Sequence, residues 1–264
     1  MAQSRQSSTK KGTLCLTFDN MGAARDIAEG RAAKPDPNEP GLAIGYPRLL
    51  ALLEELDLRG TFFIEGWNGL HHPERVQELA ARGHEVGLHG WAHEKFGALE
   101  RLRAEQLLYD GTAALTRIGV RPAGFRAPGG LRGKHTVPVL QALGFRYDSS
   151  TDPDDRSTQP SLLAPGLAHI PWSWEMVDSV QYLRHPVRPR TPQEMEAAWR
   201  SAIETAAQDG SNITIVIHAF VSGADDQRFA AVRRLLTHAR GRGDLEITNA
   251  GALAEGVLTG GGKT

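Results

Sequence analysis

Short runs of β-branched and aromatic residues alternate along the chain with longer stretches whose apolar positions recur at helical spacing. This alternation predicts βα units around a mostly parallel sheet. The runs predict strands at Thr13–Phe18, Gly60–Ile64, His84–Leu88, Gly124–Arg126, Phe145–Tyr147, Ala168–Pro171, Asn212–His218 and Leu245–Ile247. Helical spacing predicts helices through Tyr46–Leu56, Pro73–Arg82, Ala98–Ile118, Lys134–Leu143, Pro192–Gln208, Asp225–Arg240 and Ala250–Leu258. Punctuation supports several of them. Pro73 sits at a first-turn position, and Gly83 and Gly144 stand just past helix ends.

Between the first strand and the first predicted helix, Met21–Gly45 is rich in Gly, Ala, Pro and charge, which predicts a long loop. It directly follows a strand end, so it either shapes substrate selectivity or is a tolerated surface insertion. Residues 1–11 are polar and residues 259–264 glycine-rich; both are expected to be flexible tails around one domain at 12–258. No internal repeat or linker divides the 264 residues.

Charge narrows the partners. Lys and Arg total 30 against 31 Asp and Glu, a formal net charge of −1, which gives no electrostatic case for nucleic acid or an anionic membrane. The lone Cys15 lies within the apolar run Thr13–Phe18 and has no internal disulfide partner, so a buried strand thiol is expected. The N-terminal residues lack the apolar core of a signal peptide, and no apolar run reaches membrane-span length. A cytoplasmic location is the corresponding expectation, and a homo-oligomer is compatible with the sequence.

The chemistry-bearing residues cluster at predicted strand ends. In Gly83-His84-Glu85-Val86-Gly87-Leu88-His89-Gly90-Trp91-Ala92-His93, two histidines four residues apart can converge on a short helical turn and hold one metal ion. One core and one surface histidine is the plainer alternative, and His84, at the strand's start, is taken as structural. Asp19, in Thr17-Phe18-Asp19-Asn20, is either a turn residue or a general base at a cleft mouth. Arg126, in Phe125-Arg126-Ala127-Pro128, is placed to pair with Asp19 and hold it ionised and oriented. His218 closes the apolar run Ile213–Ile217 and is a candidate general acid or a core histidine. Asp178 is a candidate to orient it, and Trp172, Trp174, Pro128 and Phe220 are candidates to line a pocket.

In this order, Thr-Phe-Asp-Asn, Gly-Thr-Phe-Phe, Gly-His-Glu-Val-Gly-x-His-x-x-x-His, Phe-Arg-Ala-Pro, Tyr-Asp-Ser-Ser and the late strand-end histidine resemble the polysaccharide deacetylase family, carbohydrate esterase family 4. The resemblance spans about residues 13 to 250 and implies a distorted (β/α) barrel and metal-dependent hydrolysis of an N-acyl bond. It makes Asp19 the general base, Arg126 its partner, His218 the general acid, and His89 and His93 metal ligands. The ion implied is divalent, zinc foremost, with cobalt or nickel as alternatives. Where the family usually has a second Asp as third ligand, this chain has Asn20, and the missing charge implies a site weaker by about 10-fold or more. Residues His218–Gly223 and Pro171–Asp178 also resemble the family's allantoinase-like, cyclic-imide-hydrolysing branch.

The expected function is therefore hydrolysis of an N-acyl amide in a small molecule or oligosaccharide, with metal-activated water. The alternatives are metal-independent opening of a cyclic amide by Asp19 and His218, and a catalytically inactive carbohydrate-binding relative.

Overall fold

The first strand, β1 (Gly12–Asp19), is covered on both faces, and Leu14, Cys15 and Leu16 are wholly buried. The computed structural model describes residues 11–154 and 157–260. Residues 1–10 and 261–264, most of the two expected tails, lie outside the described residues.

From β1 the chain runs through α1 (Ala24–Ala28) and a π-helical turn, Gly41–Gly45, into α2 (Tyr46–Glu55). Next come β2 (Thr61–Ile64), α3 (Gly66–His71), α4 (Pro73–Ala81), β3 (Glu85–Leu88) and α5 (Arg101–Arg117). The middle of the chain forms β4 (Gly124–Phe125), α6 (Thr136–Ala142), β5 (Tyr147–Asp148), β6 (Ser161–Ala164) and β7 (Leu167–His169). The last part comprises α7 (Asp178–Leu183), α8 (Pro192–Asp209), β8 (Asn212–His218), α9 (Asp226–Arg240), β9 (Leu245–Thr248) and α10 (Ala250–Gly260).

The strands form one sheet in the order β6-β7-β5-β4-β3-β2-β1-β8, with β9 also paired to β1. Every pairing is parallel except β6 with β7. One edge of β1 is shared: Thr17–Asp19 pair with β2, and Gly12–Cys15 pair with β9. Its other edge pairs with β8 from Thr13 to Asp19. Beyond β7 the chain meets β8, where the Thr214 hydroxyl donates to the Pro171 carbonyl at 2.8 Å and Val177 bridges Val216. The sheet thus curls into the distorted (β/α) barrel expected from the sequence, as a single domain.

Several expectations need adjustment. The Met21–Gly45 segment carries α1 and a π-helical turn. The helix expected from Ala98 begins at Arg101, because Phe96–Ala98 forms a separate 3-10 turn. The last helix runs on through Thr259 and Gly260. Cys15 is buried and unpaired, and burial pushes its thiol up to about 12. Among the described residues no helix is long and apolar enough to cross a membrane.

Because neighbouring strands run parallel, their carboxyl ends share one rim, where α/β sheets place ligands. Asp19 closes β1, His218 closes β8, His89 follows β3 and Arg126 follows β4. The β1–β8 register sets Asp19 directly beside His218.

Candidate active site

Arg126 is wholly buried, and its guanidinium is committed on every side. It donates to the Asp19 carboxylate at 2.7 Å, the Thr17 hydroxyl at 2.9 Å, the Ser149 carbonyl at 3.1 Å and the Ser149 hydroxyl at 2.8 Å. It also lies over the Phe63 ring, 4.2 Å from its centroid. A buried cation so fully bonded fixes the rotamer of Asp19 and supplies its counter-charge.

The two histidines of the third strand end do come together, with ring centroids 5.3 Å apart. They do so on an irregular turn rather than the expected helical one. Gly90 has φ +72°, and a Cβ there would lie 3.1 Å from the buried Pro128 ring. His93 itself has φ +76°, a region L-residues with bulky side chains seldom enter. Glu94 holds the turn by accepting from the Trp91 and Ala92 backbone N–H groups, each at 3.0 Å. His89 Nδ1 pairs with the Arg126 carbonyl at 2.8 Å, so that nitrogen carries the proton and Nε2 is left as the lone-pair donor. Burial pulls His89 down to about 4 and His93 to about 2, so both imidazoles are neutral at physiological pH.

Beside them stands Asn20, also in the left-handed region at φ +66°. Its Nδ2 donates to Glu65 at 2.8 Å, and its carbonyl accepts from the Tyr46 hydroxyl at 2.6 Å. Glu65 is 1% exposed and also accepts from Met21 N at 3.1 Å and Asn68 Nδ2 at 2.9 Å. Burial pushes its pKa up to about 8. Sequence reasoning passed over Glu65, although a carboxylate closing the apolar run Thr61–Ile64 was a visible signal. Among the described residues no three His, Cys, Asp or Glu side chains form a metal-holding group. His89, His93 and Asn20 all line one cleft, so two neutral imidazoles and an amide are the groups there that could hold a divalent ion.

Across the cleft, His218 Nδ1 meets Asp178 Oδ1 at 2.6 Å. The other Asp178 oxygen accepts from His218 N at 2.9 Å and the Ser222 hydroxyl at 2.6 Å. Burial alone would lower the His218 pKa, but the charge and hydrogen bond of Asp178 outweigh it and the net shift is upward.

The cleft between these groups encloses about 360 Å³. Trp172, Trp174 and Phe220 line it, and the two indoles meet edge to face at 4.7 Å. Trp172 is anchored by its Nε1–H donating to the Ser149 carbonyl at 2.7 Å. Pro128 is buried beneath Gly90, and its neighbours Ala127, Gly129 and Gly130 line the cleft instead. The Met21–Gly45 segment contributes Gly22, Arg25, Asp26, Arg31 and Glu39 to the same wall.

Comparison with known proteins bears on this arrangement. The polysaccharide deacetylase family model matches residues 6–147. A peptidoglycan deacetylase of Helicobacter pylori is 29% identical over 153 residues, which cover 56% of this chain and 50% of that protein. The chain thus spans about half the length of this curated relative. A crystal structure from Mycobacterium smegmatis that carries the polysaccharide deacetylase name superposes with a TM-score of 0.84 at 28% identity, covering 96% of this chain and 93% of that one. An allantoinase shares the fold, with a TM-score of 0.78 at 20% identity over 92% of this chain and 89% of its own. With its barrel and its ordered strand-end residues, the chain belongs to the polysaccharide deacetylase family.

Proposed function

We propose that the protein hydrolyses the C–N bond of an N-acyl amide, with Asp19 as general base and His218 as general acid. The observation that carries this reading is the β1–β8 register. It sets Asp19, paired with Arg126, beside His218, paired with Asp178, on one cleft. One group is hydrogen-bonded and oriented by a buried guanidinium; the other is biased toward its protonated form by a carboxylate. That difference in environment separates the roles of base and acid.

Asp19 takes the proton of the attacking water, and Arg126 keeps the carboxylate aimed as it does so. His218 delivers a proton to the departing nitrogen, and Asp178 steadies the imidazolium before that transfer. Members of the family generally use a divalent ion; His89 Nε2, His93 and Asn20 Oδ1 are the donors to hold it. Such an ion supplies Lewis-acid polarisation of the scissile carbonyl and acidifies water. Trp172, Trp174 and Phe220 offer apolar walls to the acyl-bearing part of the substrate, an acylated sugar or a small N-acyl compound.

The test pairs metal analysis with turnover of N-acetylated chito-oligosaccharides and small N-acyl and formamido amides. Near-stoichiometric zinc, cobalt or nickel in the wild type, lost in His89→Ala, is expected. Chelator-sensitive deacylation that disappears in Asp19→Ala and His218→Ala is expected with it. Persistent activity in all three variants would overturn the assignment. Asn20 in place of a carboxylate is the specific feature favouring the second reading, opening of a cyclic ureide or imide without metal. Chelator-resistant turnover of such a ring would establish it, and binding of an acyl sugar without turnover would identify an inactive relative.

A further inference from the structure

We propose that the substrate is an N-acyl amino acid whose carboxylate is held by Arg184; this narrows the hydrolytic reading above and rests on it. Three guanidiniums line the cleft, those of Arg25, Arg31 and Arg184. Two of them are committed within the Met21–Gly45 wall. Arg25 Nε donates to Glu29 at 3.0 Å, while Arg31 Nε donates to Asp26 at 2.8 Å and the same guanidinium pairs with Glu29. The carboxylates lining the cleft also have their donors. Arg126 serves Asp19, Arg31 serves Asp26, and the Gly41 and Leu42 backbone N–H groups serve Glu39, each at 2.9 Å.

Arg184 differs. It stands just past the end of α7, is exposed, and among the described residues its side chain makes a single, long hydrogen bond, 3.4 Å from Nη2 to the Ser179 hydroxyl. Nε and Nη1 donate to no described residue. Ser179 is 5% exposed and lines the same cleft. Among the described residues its hydroxyl accepts from Arg184 and donates to nothing. A guanidinium fork with unused donors, beside a buried hydroxyl with an unused proton, is a donor set for one planar oxyanion. A carboxylate matches it, because its two oxygens can meet the fork and still leave a lone pair for Ser179.

The place of this pair sorts the two halves of the substrate. Ser179 directly follows Asp178, which holds His218, and the charge of Arg184 is felt at His218, where it works against Asp178. In the mechanism above His218 protonates the departing nitrogen, so the carboxylate belongs to the nitrogen-bearing half and not to the acyl half. Leu183, four residues after Ser179 on α7, is exposed and lines the cleft there, giving the carbon skeleton of that half an apolar surface. Water adds across the C–N bond. The acyl half leaves as a carboxylic acid and the other half as an amino acid, with the proton from His218 on its nitrogen.

The experiment compares N-acetylated glycine, β-alanine and γ-aminobutyrate with their neutral carboxamides, as ratios of kcat/KM, for wild type, Arg184→Met and Arg184→Lys. The same six compounds are titrated calorimetrically into Asp19→Asn, with and without Arg184→Met. The acid-to-amide ratio cancels any effect of Arg184 on His218 that both substrates share, so a merely structural role would not move it. In wild type at least one acid is expected to exceed its amide by about 10-fold, through KM, the scale of a hydrogen bond to a charged group. Arg184→Met is expected to bring that ratio to about 1, and Arg184→Lys to recover part of it, a point charge without the fork. A preference that survives Arg184→Met overturns the role of Arg184. Equal turnover of acids and amides by wild type overturns the substrate class while hydrolysis stands. If wild type turns over none of the six, acid binding that is lost with Arg184→Met keeps the anion site and overturns hydrolysis. Absence of both turnover and binding overturns the two together.

Discussion

Four hydrogen bonds and a ring contact leave Arg126 no other conformation, and Asp19 inherits that rigidity. Arg126→Met removes the counter-charge from a carboxylate that is 6% exposed. The expected cost is about 3–5 kcal/mol of unfolding free energy in urea, the range for stripping one partner from a buried pair. A Met variant as stable as wild type would show that Asp19 does not depend on the guanidinium. His218 gives a pH signature. Its pKa is raised, so the stability contributed by the Asp178 pair is complete below the ordinary histidine value and lost as pH rises through the raised one. In the general-acid role proposed for it, His218 works on that same acidic side. Asp178→Asn should therefore move the alkaline limb of the kcat profile to lower pH; an unmoved limb would assign it to another group. Asp19, His89, Arg126 and His218 stand out in the sequence because each closes or directly follows an apolar strand run, whereas Asp178 opens α7 and its contact with His218, 40 positions later, has no local signal. Glu65 directly follows such a run too, but its meaning depends on Asn20, 45 positions earlier, and no local pattern reveals that contact.

At the level of elements, the histidine turn after β3 is held by Glu94 on two backbone N–H groups, with two left-handed residues inside it. Glu94→Ala frees those donors and lets His93 relax from its strained conformation. Zinc affinity is expected to fall by about 10-fold while the melting temperature of the metal-free protein changes little. Unchanged affinity would show that the turn is rigid without its carboxylate. Helices with proline at the start or glycine past the end were readable from sequence, as α4 and α6 show. By contrast α3 was hidden by its glycines. A Cβ at Gly66 would lie 2.3 Å from Gly111 Cα, so close contact with α5 demands the residue that helix propensity disfavours. The short β6 was missed because it is half-exposed and irregularly registered against β7, leaving no alternation to detect.

The whole molecule is held by its first strand, which the last two strands complete. β8 covers one edge of β1, and β9 takes the half of the other edge that β2 leaves open. Fold class was legible because helix and strand periods alternate so regularly, whereas the sharing of an edge by strands far apart in sequence has no local signal. The arrangement has a consequence for biosynthesis. More than 200 residues separate β1 from β9, so at cellular elongation rates the nascent chain waits roughly 10–50 s for its closing partner. Throughout that interval an apolar strand presents an unfilled row of N–H and C=O groups. Slowing the ribosome over the codons for α9 and β9 is expected to enlarge the insoluble fraction, measured by pulse labelling and sedimentation, without changing the stability of molecules that finish. Yield of this protein is then set by the pace of translation.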